Sequence, residues 1–392
     1  MVTLEAFMEV PFSRSTLDEE EVRAASEAIA SGHISGDGPT CRAAEVWLRE
    51  WLSCPHLLLT TSCTHAMEMA LLALEIEEGA EIILPSFSFV SGANAVLRAG
   101  GVPVFADVEP TFLNLSSQAV TEAVTPRTAG ILCVHYAGVP CHMDHLLEVS
   151  EQHGLFLVED AAQALGARWT DGRFLGTLGN AGCYSFHGTK NVVCGEGGAL
   201  ATRNGNLAKR AEVIREKGTD RSAFLRGEVD RYTWQEEGSS YVLSDLLASV
   251  LQVQLGKLEA FQEERRRLGM RYVEGLRPLA EEELILLPPF DVVADFINWH
   301  IFHIRIIGGG GKRDLVIRAL RERGIETTFH FVPLHSSPYA KHFLQTEDLY
   351  LPVTEEAADS LLRLPLYPGL QEDEQQYVID CLASVLREEA KA

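Results

Sequence analysis

The chain of 392 residues carries 33 basic and 56 acidic side chains, a net charge of -23, with 46% of its residues apolar. That length and apolar content support one large domain with a smaller one beside it, and they exclude a disordered chain. The acidic balance repels phosphate backbones and anionic lipid, which excludes nucleic acid and membrane surfaces as partners.

The opening segment MVTLEAFMEVPFSRST has no basic stretch followed by an apolar one, and no run of about 18 apolar residues follows anywhere, so neither secretion nor membrane spanning is expected. A helix is predicted from the acidic turn Leu17–Glu21 through Val22, Ala25 and Ile29, ending at Ser31-Gly32. Gly36–Pro39 reads as a turn, and Arg42–Leu52 as a helix with Val46, Trp47 and Leu48 toward a core. After Pro55 comes a strand, His56–Thr60. The hydroxyl-rich turn Thr61-Ser-Cys-Thr64 then leads into a helix over His65–Ile76. Such a junction presents free backbone N–H groups and a positive dipole end to an anion, or more simply caps the helix.

Continuous apolar runs at Glu81–Pro85, Val102–Asp107, Gly130–Tyr136, Leu155–Asp160 and Gly182–His187 alternate with helical stretches. This rhythm predicts an α/β fold with a mostly parallel sheet covered on both faces. Ligands in such sheets sit beyond the carboxyl ends of the strands, so Ser86, His135, Asp160 and His187 are expected to converge. Asp160 closes a buried strand, where a carboxylate needs a cation or several donors facing it. A pyridinium nitrogen would serve.

The segment NAGCYSFHGTKNVVCGEGGA, Asn180–Ala199, places Lys190 between the apolar stretches Cys183–Phe186 and Val192–Cys194. A desolvated ammonium has its pKa lowered from about 10.4, toward the range where a free amine attacks a carbonyl and shuttles protons. Lys190 therefore has the surroundings of a Schiff-base lysine.

A helical, charged stretch runs from Gly205 to Lys217, followed by the irregular segment Gly218–Tyr241 with Phe224, Tyr232, Trp234 and Tyr241. It is too aromatic for disorder and is expected to cross between subunits. Ser244–Lys257 reads as an apolar helix and Leu258–Leu276 as a long exposed one. The boundary falls there, with 1–258 the large domain and 259–392 a smaller α/β domain with strands around Ile301–Ile307 and Ile325–Phe329. Gly308–Lys312, GGGGK, lacks the spacing of a phosphate loop and reads as a hairpin or loop turn.

Other chemistries fit poorly. Cys133, His135, Cys141, His142 and His145 match no zinc spacing, so no metal is expected. No G-x-G-x-x-G stands between a strand and a helix, which removes a dinucleotide-binding enzyme. The cysteines, at positions 41, 54, 63, 133, 141, 183, 194 and 381, form no CxxC pair and sit mostly in apolar segments, as suits a reducing cytoplasm.

Together, TSCT before a helix, PSFSFVSGAN, VEDAAQ and SFHGTKN…GEGGA resemble the DegT/DnrJ/EryC1/StrS sugar aminotransferases over nearly the whole chain. The resemblance implies a fold-type-I, aspartate aminotransferase-like enzyme using pyridoxal 5'-phosphate. Lys190 would carry the cofactor as a Schiff base, and Asp160 would pair with its ring nitrogen. Gln163 would contact the ring hydroxyl and Phe89 the ring face, with Ser62, Cys63, Thr64 and Ser185 around the phosphate. Gly238-Ser-Ser-Tyr241 puts Ser240 where the family's partner subunit supplies an Asn to the phosphate. A homodimer with its site at the interface is implied, with Arg226, Trp234 and His335 touching the sugar nucleotide.

GTDRSAFLRGEVDRYTWQEEGSSYVLSD and FHFVPLHSSP look more narrowly like the dTDP-4-amino-4,6-dideoxygalactose transaminase subgroup. This implies dTDP-4-dehydro-6-deoxyglucose as acceptor and L-glutamate as donor, with amination at C3 as the alternative. A related dehydratase would carry His in place of Lys190, and a silent sugar-nucleotide-binding protein would lack the Lys190–Asp160 pair.

Overall fold

The computed structural model describes residues 8–390, so residues 1–7 of the opening segment lie outside it. Seven strands form the main sheet: β1 (His56–Thr60), β2 (Glu81–Pro85), β3 (Val102–Ala106), β4 (Thr128–Val134), β5 (Phe156–Asp160), β6 (Ala181–Ser185) and β7 (Gly198–Thr202). Their order is β1-β7-β6-β5-β4-β2-β3. The sheet is parallel apart from β7, which runs against both β1 and β6. β2 and β6 are buried throughout, and β4 and β5 over most of their length, because helices cover both faces, which is why they read as unbroken apolar runs. The strand β7, Gly-Ala-Leu-Ala-Thr, escapes sequence reading because only Leu200 and Thr202 have strand-forming side chains.

Three strands, β8 (Ile285–Leu286), β9 (Phe302–Ile306) and β10 (Leu361–Leu364), make a second, antiparallel sheet in the order β10-β9-β8. The expected strand at Ile325–Phe329 is reduced to two isolated bridges, Val10 with Ile325 and Thr328 with Arg363. GGGGK is not a hairpin: Gly308, at φ 120°, begins a helix over Gly309–Glu322, held by the buried Val316 and Leu320 further along. In the Glu19–Ser31 helix, Val22 and Ile29 face outward, 67% and 61% exposed, and the turn buries Glu21 and Ala28 instead. Among the described residues no helix is long and apolar enough to cross a membrane.

Gly218–Tyr241 is held by hydrogen bonds to itself and to the residues just before it. Gln235 N–H donates to Gly218 O at 2.7 Å and Lys217 N–H to Ser239 O at 2.9 Å, and a short helix spans Arg221–Leu225. The chain's first described residues cross to the second sheet region, where Val10 exchanges backbone hydrogen bonds with Gly324 and Glu326. Ser15 Oγ then donates to Gly188 O at 2.6 Å, so this segment straps the two regions together beside Lys190.

Under the site, Glu159 on β5 is fully buried and accepts backbone N–H bonds from Gly176, Leu178 and Gly179, each at 2.7 Å, while its other contact is His135 Nε2 at 3.0 Å. This carboxylate ties the turn before β6 to β5, and with it the relative placement of Asp160 and the Lys190 loop. Glu159→Gln turns one acceptor into a donor facing N–H groups. It should lower the unfolding free energy by about 3 kcal/mol in urea titration; an unchanged midpoint would show that the turn is held by other means.

Candidate active site

Strand ends and one helix start build the site. Ser62 caps the Cys63–Ala73 helix, its Oγ accepting the His65 N–H at 3.1 Å, which leaves the N–H groups of Cys63 and Thr64 without intrahelical acceptors. The helix packs tightly on β7: a Cβ on Gly198 would fall 2.4 Å from Cys63 N. Thr64 Oγ1 and Ser91 Oγ meet at 2.7 Å, and Ser185 ends β6 close by. The result is a cup of N–H and hydroxyl donors at a positive helix end, suited to a phosphate.

Asp160 ends β5. Its Oδ1 accepts the Ala162 N–H at 3.0 Å and faces the Cys63 thiol at 3.8 Å, with no ion pair among the described residues. Burial pushes its carboxyl up, against the Ala162 N–H and the charges of Lys190 and His135. Lys190 sits in the turn after β6, its N–H donating to His187 O at 2.9 Å. Burial pushes its amine down, opposed mainly by Asp160. Gln163 Oε1 accepts the Ala137 N–H at 2.8 Å, while its amide N–H groups meet no acceptor among the described residues.

These groups line one cavity of about 520 Å³ together with Phe12, Ser13, Phe89, His187, Thr189, Glu196, His300, His330, Phe331 and Arg363. Of the residues expected from sequence, it brings together Ser62, Cys63, Thr64, Phe89, Asp160, Gln163, Ser185 and Lys190. It does not include Ser240, Arg226, Trp234 or His335. Arg226 is exposed and paired with Glu212 and Glu228 at 2.7 and 2.8 Å. Trp234 is 79% exposed, its indole N–H donating to Glu236 O at 2.6 Å.

His335 needs correction as a sugar contact. It is buried, with Nδ1 on Ser86 Oγ at 2.7 Å and Nε2 on Glu355 at 2.9 Å, which takes Ser86 out of the site as well. His135, expected to converge with Asp160, lies behind the strand ends. Its Nδ1 accepts the Cys141 N–H at 3.2 Å and its Nε2 faces Glu159, so although Cys133, His135 and Cys141 do gather, both ring nitrogens are already engaged.

Sequence reasoning missed Phe12, His300, His330 and Arg363. All come from segments remote in the chain, and the sole signal was a cation inside the apolar run Leu361-Leu-Arg-Leu364. His300 Nδ1 is bonded to Asn191 Oδ1 at 2.8 Å, which ties it to the residue after Lys190. Since the amide oxygen accepts, Nδ1 carries the proton.

The donor set fits pyridoxal phosphate: a donor cup for the phosphate, a buried carboxylate without a protein cation for a ring nitrogen, free amide N–H groups for a ring oxygen, and an amine of lowered pKa. A family model described as the DegT/DnrJ/EryC1/StrS aminotransferase family matches residues 15–383. The fold is similar to the aminotransferase TlmJ from Streptoalloteichus hindustanus, with 32% identity, TM-score 0.88, and 97% of this chain and 100% of that one covered. DesV of S. venezuelae shares 32% identity at TM-score 0.86, covering 96% and 98%. NtdA from Bacillus subtilis, solved with its cofactor PMP bound, shares 28% at TM-score 0.86, covering 97% and 85%.

The lowered pKa of Lys190 can be read directly. Carbamylation by cyanate, mapped peptide by peptide across a pH series in the cofactor-free protein, should reach its half-maximal rate at Lys190 at a pH below the ordinary 10.5. Cyanate modifies only the neutral amine, so a midpoint at or above that value would mean that burial does not control this amine.

Proposed function

Since this chain belongs to the DegT/DnrJ/EryC1/StrS aminotransferase family and is a pyridoxal-phosphate-dependent sugar aminotransferase, we propose that it moves the amino group of L-glutamate to C4 of dTDP-4-dehydro-6-deoxy-D-glucose. The observation that carries the aminotransferase part of this reading is the placement of Lys190 and Asp160 in one cavity, neither in an ion pair among the described residues. The later segments GTDRSAFLRGEVDRYTWQEEGSSYVLSD and FHFVPLHSSP support the 4-amino subgroup over the C3-aminating enzymes.

The bound cofactor supplies a conjugated ring that takes up the electron pair left at the donor carbon. The chain's residues do the rest. Ser62, Thr64, Ser185 and the N–H groups of Cys63 and Thr64 hold the phosphate. Asp160 holds a proton on the ring nitrogen by its charge, and Gln163 donates to the ring oxygen. Phe89, 65% exposed, covers the ring face. Lys190 Nζ, kept toward its neutral form by burial, takes the proton from the donor's Cα and later gives one to C4 of the sugar.

The second subunit completes the site in this reading. Ser240, Arg226 and Trp234 lie outside their own chain's cavity, and Leu225, Tyr232 and Trp234 expose apolar side chains that a second copy would cover. In that homodimer the three residues reach the partner's phosphate and sugar nucleotide.

Incubation with dTDP-4-dehydro-6-deoxy-D-glucose and L-glutamate, followed by proton NMR, tests the regiochemistry and the face of attack together. The expected product has nitrogen at C4 and a small H3–H4 coupling, the axial, galacto arrangement. A large coupling would assign the gluco epimer, and nitrogen at C3 would overturn the C4 assignment. Lys190→Ala should abolish turnover.

A further inference from the structure

The corner Asn298-Trp299-His300, just before β9, is held more firmly than a connection needs. Trp299 is fully buried in the left-handed region, at φ 51°, a conformation unfavourable for a bulky residue. Its carbonyl and that of His300 accept from the buried Arg265 at 3.4 and 3.1 Å, and its indole N–H donates to Ala294 O at 3.3 Å. Gly269, on the helix Leu258–Glu281, has no side chain to collide with the indole ring. Strain of this kind persists only where the surroundings over-determine it, and it gathers at functional sites.

The residues on either side of Trp299 show what the corner serves. Asn298 Nδ2 donates to Gln163 O at 2.9 Å and Leu165 O at 3.0 Å, and Asn298 O accepts from Asn191 Nδ2 at 2.9 Å. That last bond fixes the Asn191 amide with its oxygen toward His300, whose Nδ1–H it accepts at 2.8 Å. His300 Nε2 therefore carries a lone pair, and it meets no partner among the described residues. His300 and Lys190 wall one recess of about 20 Å³, room for a water or two. Arg265 and Arg363 share that recess and can accept nothing. Burial, followed by the charges of Lys190, Arg265 and Arg363 and by His330, pushes the pKa of His300 well below its ordinary 6.5, so the ring stays neutral.

We infer that His300 is a positioning residue for Lys190: its Nε2 accepts a hydrogen bond from the lysine's amine once that amine is released from the cofactor, and so aims the nitrogen lone pair at the donor's Cα–H. This rests on the aminotransferase reading of the same cavity and deepens the step assigned there to Lys190. A free amine on four methylenes has many orientations, few of which point its lone pair at one C–H bond. An uncharged acceptor suits the task. A carboxylate in its place would favour the ammonium, which has no lone pair, whereas a neutral imidazole orients the amine and leaves it basic. The proton leaves Cα, whose bonding pair passes into the cofactor's ring, and comes to rest on Lys190 Nζ; His300 takes none. The N–H···Nε2 bond is charge-assisted from that point, so it is stronger after the transfer than before it. Asn191, which holds the imidazole, follows Lys190 in the chain, so acceptor and base are tied to one turn.

Two measurements read the two halves of the claim. In the cofactor-free protein, ¹⁵N NMR of labelled histidine should show the proton of His300 on Nδ1 and none on Nε2 at neutral pH, its signals being those missing from His300→Gln. In the cofactor-loaded enzyme, the spectral change on adding L-glutamate gives the rate and half-saturation of the donor half-reaction without any sugar. His300→Leu should lower the limiting rate on the order of 100-fold and leave the half-saturating concentration within about twofold of wild type. Deuterium at the donor's Cα should slow this variant at least as much as it slows wild type. His300→Gln, which offers an amide oxygen near the place of Nε2, should regain about tenfold of the lost rate.

A proton on Nε2 would overturn the inference, and so would a rate loss in which the isotope effect disappears. A loss confined to the ketosugar half-reaction would assign His300 to the sugar and overturn it as well. The same holds for a lowered melting temperature and weakened cofactor binding in His300→Leu with no recovery in His300→Gln, the signature of a packing residue. Wild type that converts L-glutamate without aminating any dTDP-ketosugar would sink the acceptor proposal and leave the His300 assignment standing.

Discussion

An amine and a carboxylate are buried in one cavity, and burial works against the charge of each. Lys190 is pushed toward its neutral form and Asp160 toward its protonated one, while their mutual attraction resists both shifts. Neither closes an ion pair that would make the site inert. The surrounding architecture serves to keep them apart and fixed. Asp160 closes β5 at the middle of a parallel sheet, Lys190 hangs in the turn after β6, and Glu159 holds the intervening turn by three N–H bonds. A cofactor with a ring nitrogen at one end and an aldehyde at the other satisfies both groups at once.

Around that pair, charge is distributed by distance from water. The end of the cavity at the start of the Cys63–Ala73 helix is lined, among the described residues, by helix N–H groups and the hydroxyls of Ser62, Thr64, Ser91 and Ser185. The opposite wall, from the smaller sheet and the N-terminal strap, carries Arg363 with neutral His300 and His330. A chain with a net charge of -23 thus places two of its cations, Lys190 and Arg363, in one cavity.

The large sheet was legible because buried parallel strands are unbroken apolar runs and their carboxyl ends carry the polar residues. Asp160 and Lys190 could be found on those terms, and TSCT before a helix announced its donor cup. The region of the second sheet was less legible. The glycines of GGGGK mask a helix whose apolar face begins only at Val316, and Ile325–Phe329 looks like a strand but makes only single bridges. In HFVPLH the histidine in the cavity is His330 and not His335; the two lie five residues apart, and only tertiary packing decides which is buried against Ser86 and Glu355. Arg363 required the fold, because an arginine among leucines reads as a surface residue until its carboxylate is looked for and not found.

The central claim is that Lys190, among all the lysines of this chain, carries the cofactor because burial frees its amine opposite Asp160. Borohydride reduction of the cofactor-loaded protein, followed by peptide mass mapping, tests it most directly. One pyridoxyl adduct per chain is expected, on the peptide containing Lys190, with none in Lys190→Ala. An adduct on another lysine, or a full stoichiometric adduct surviving in Lys190→Ala, would contradict it.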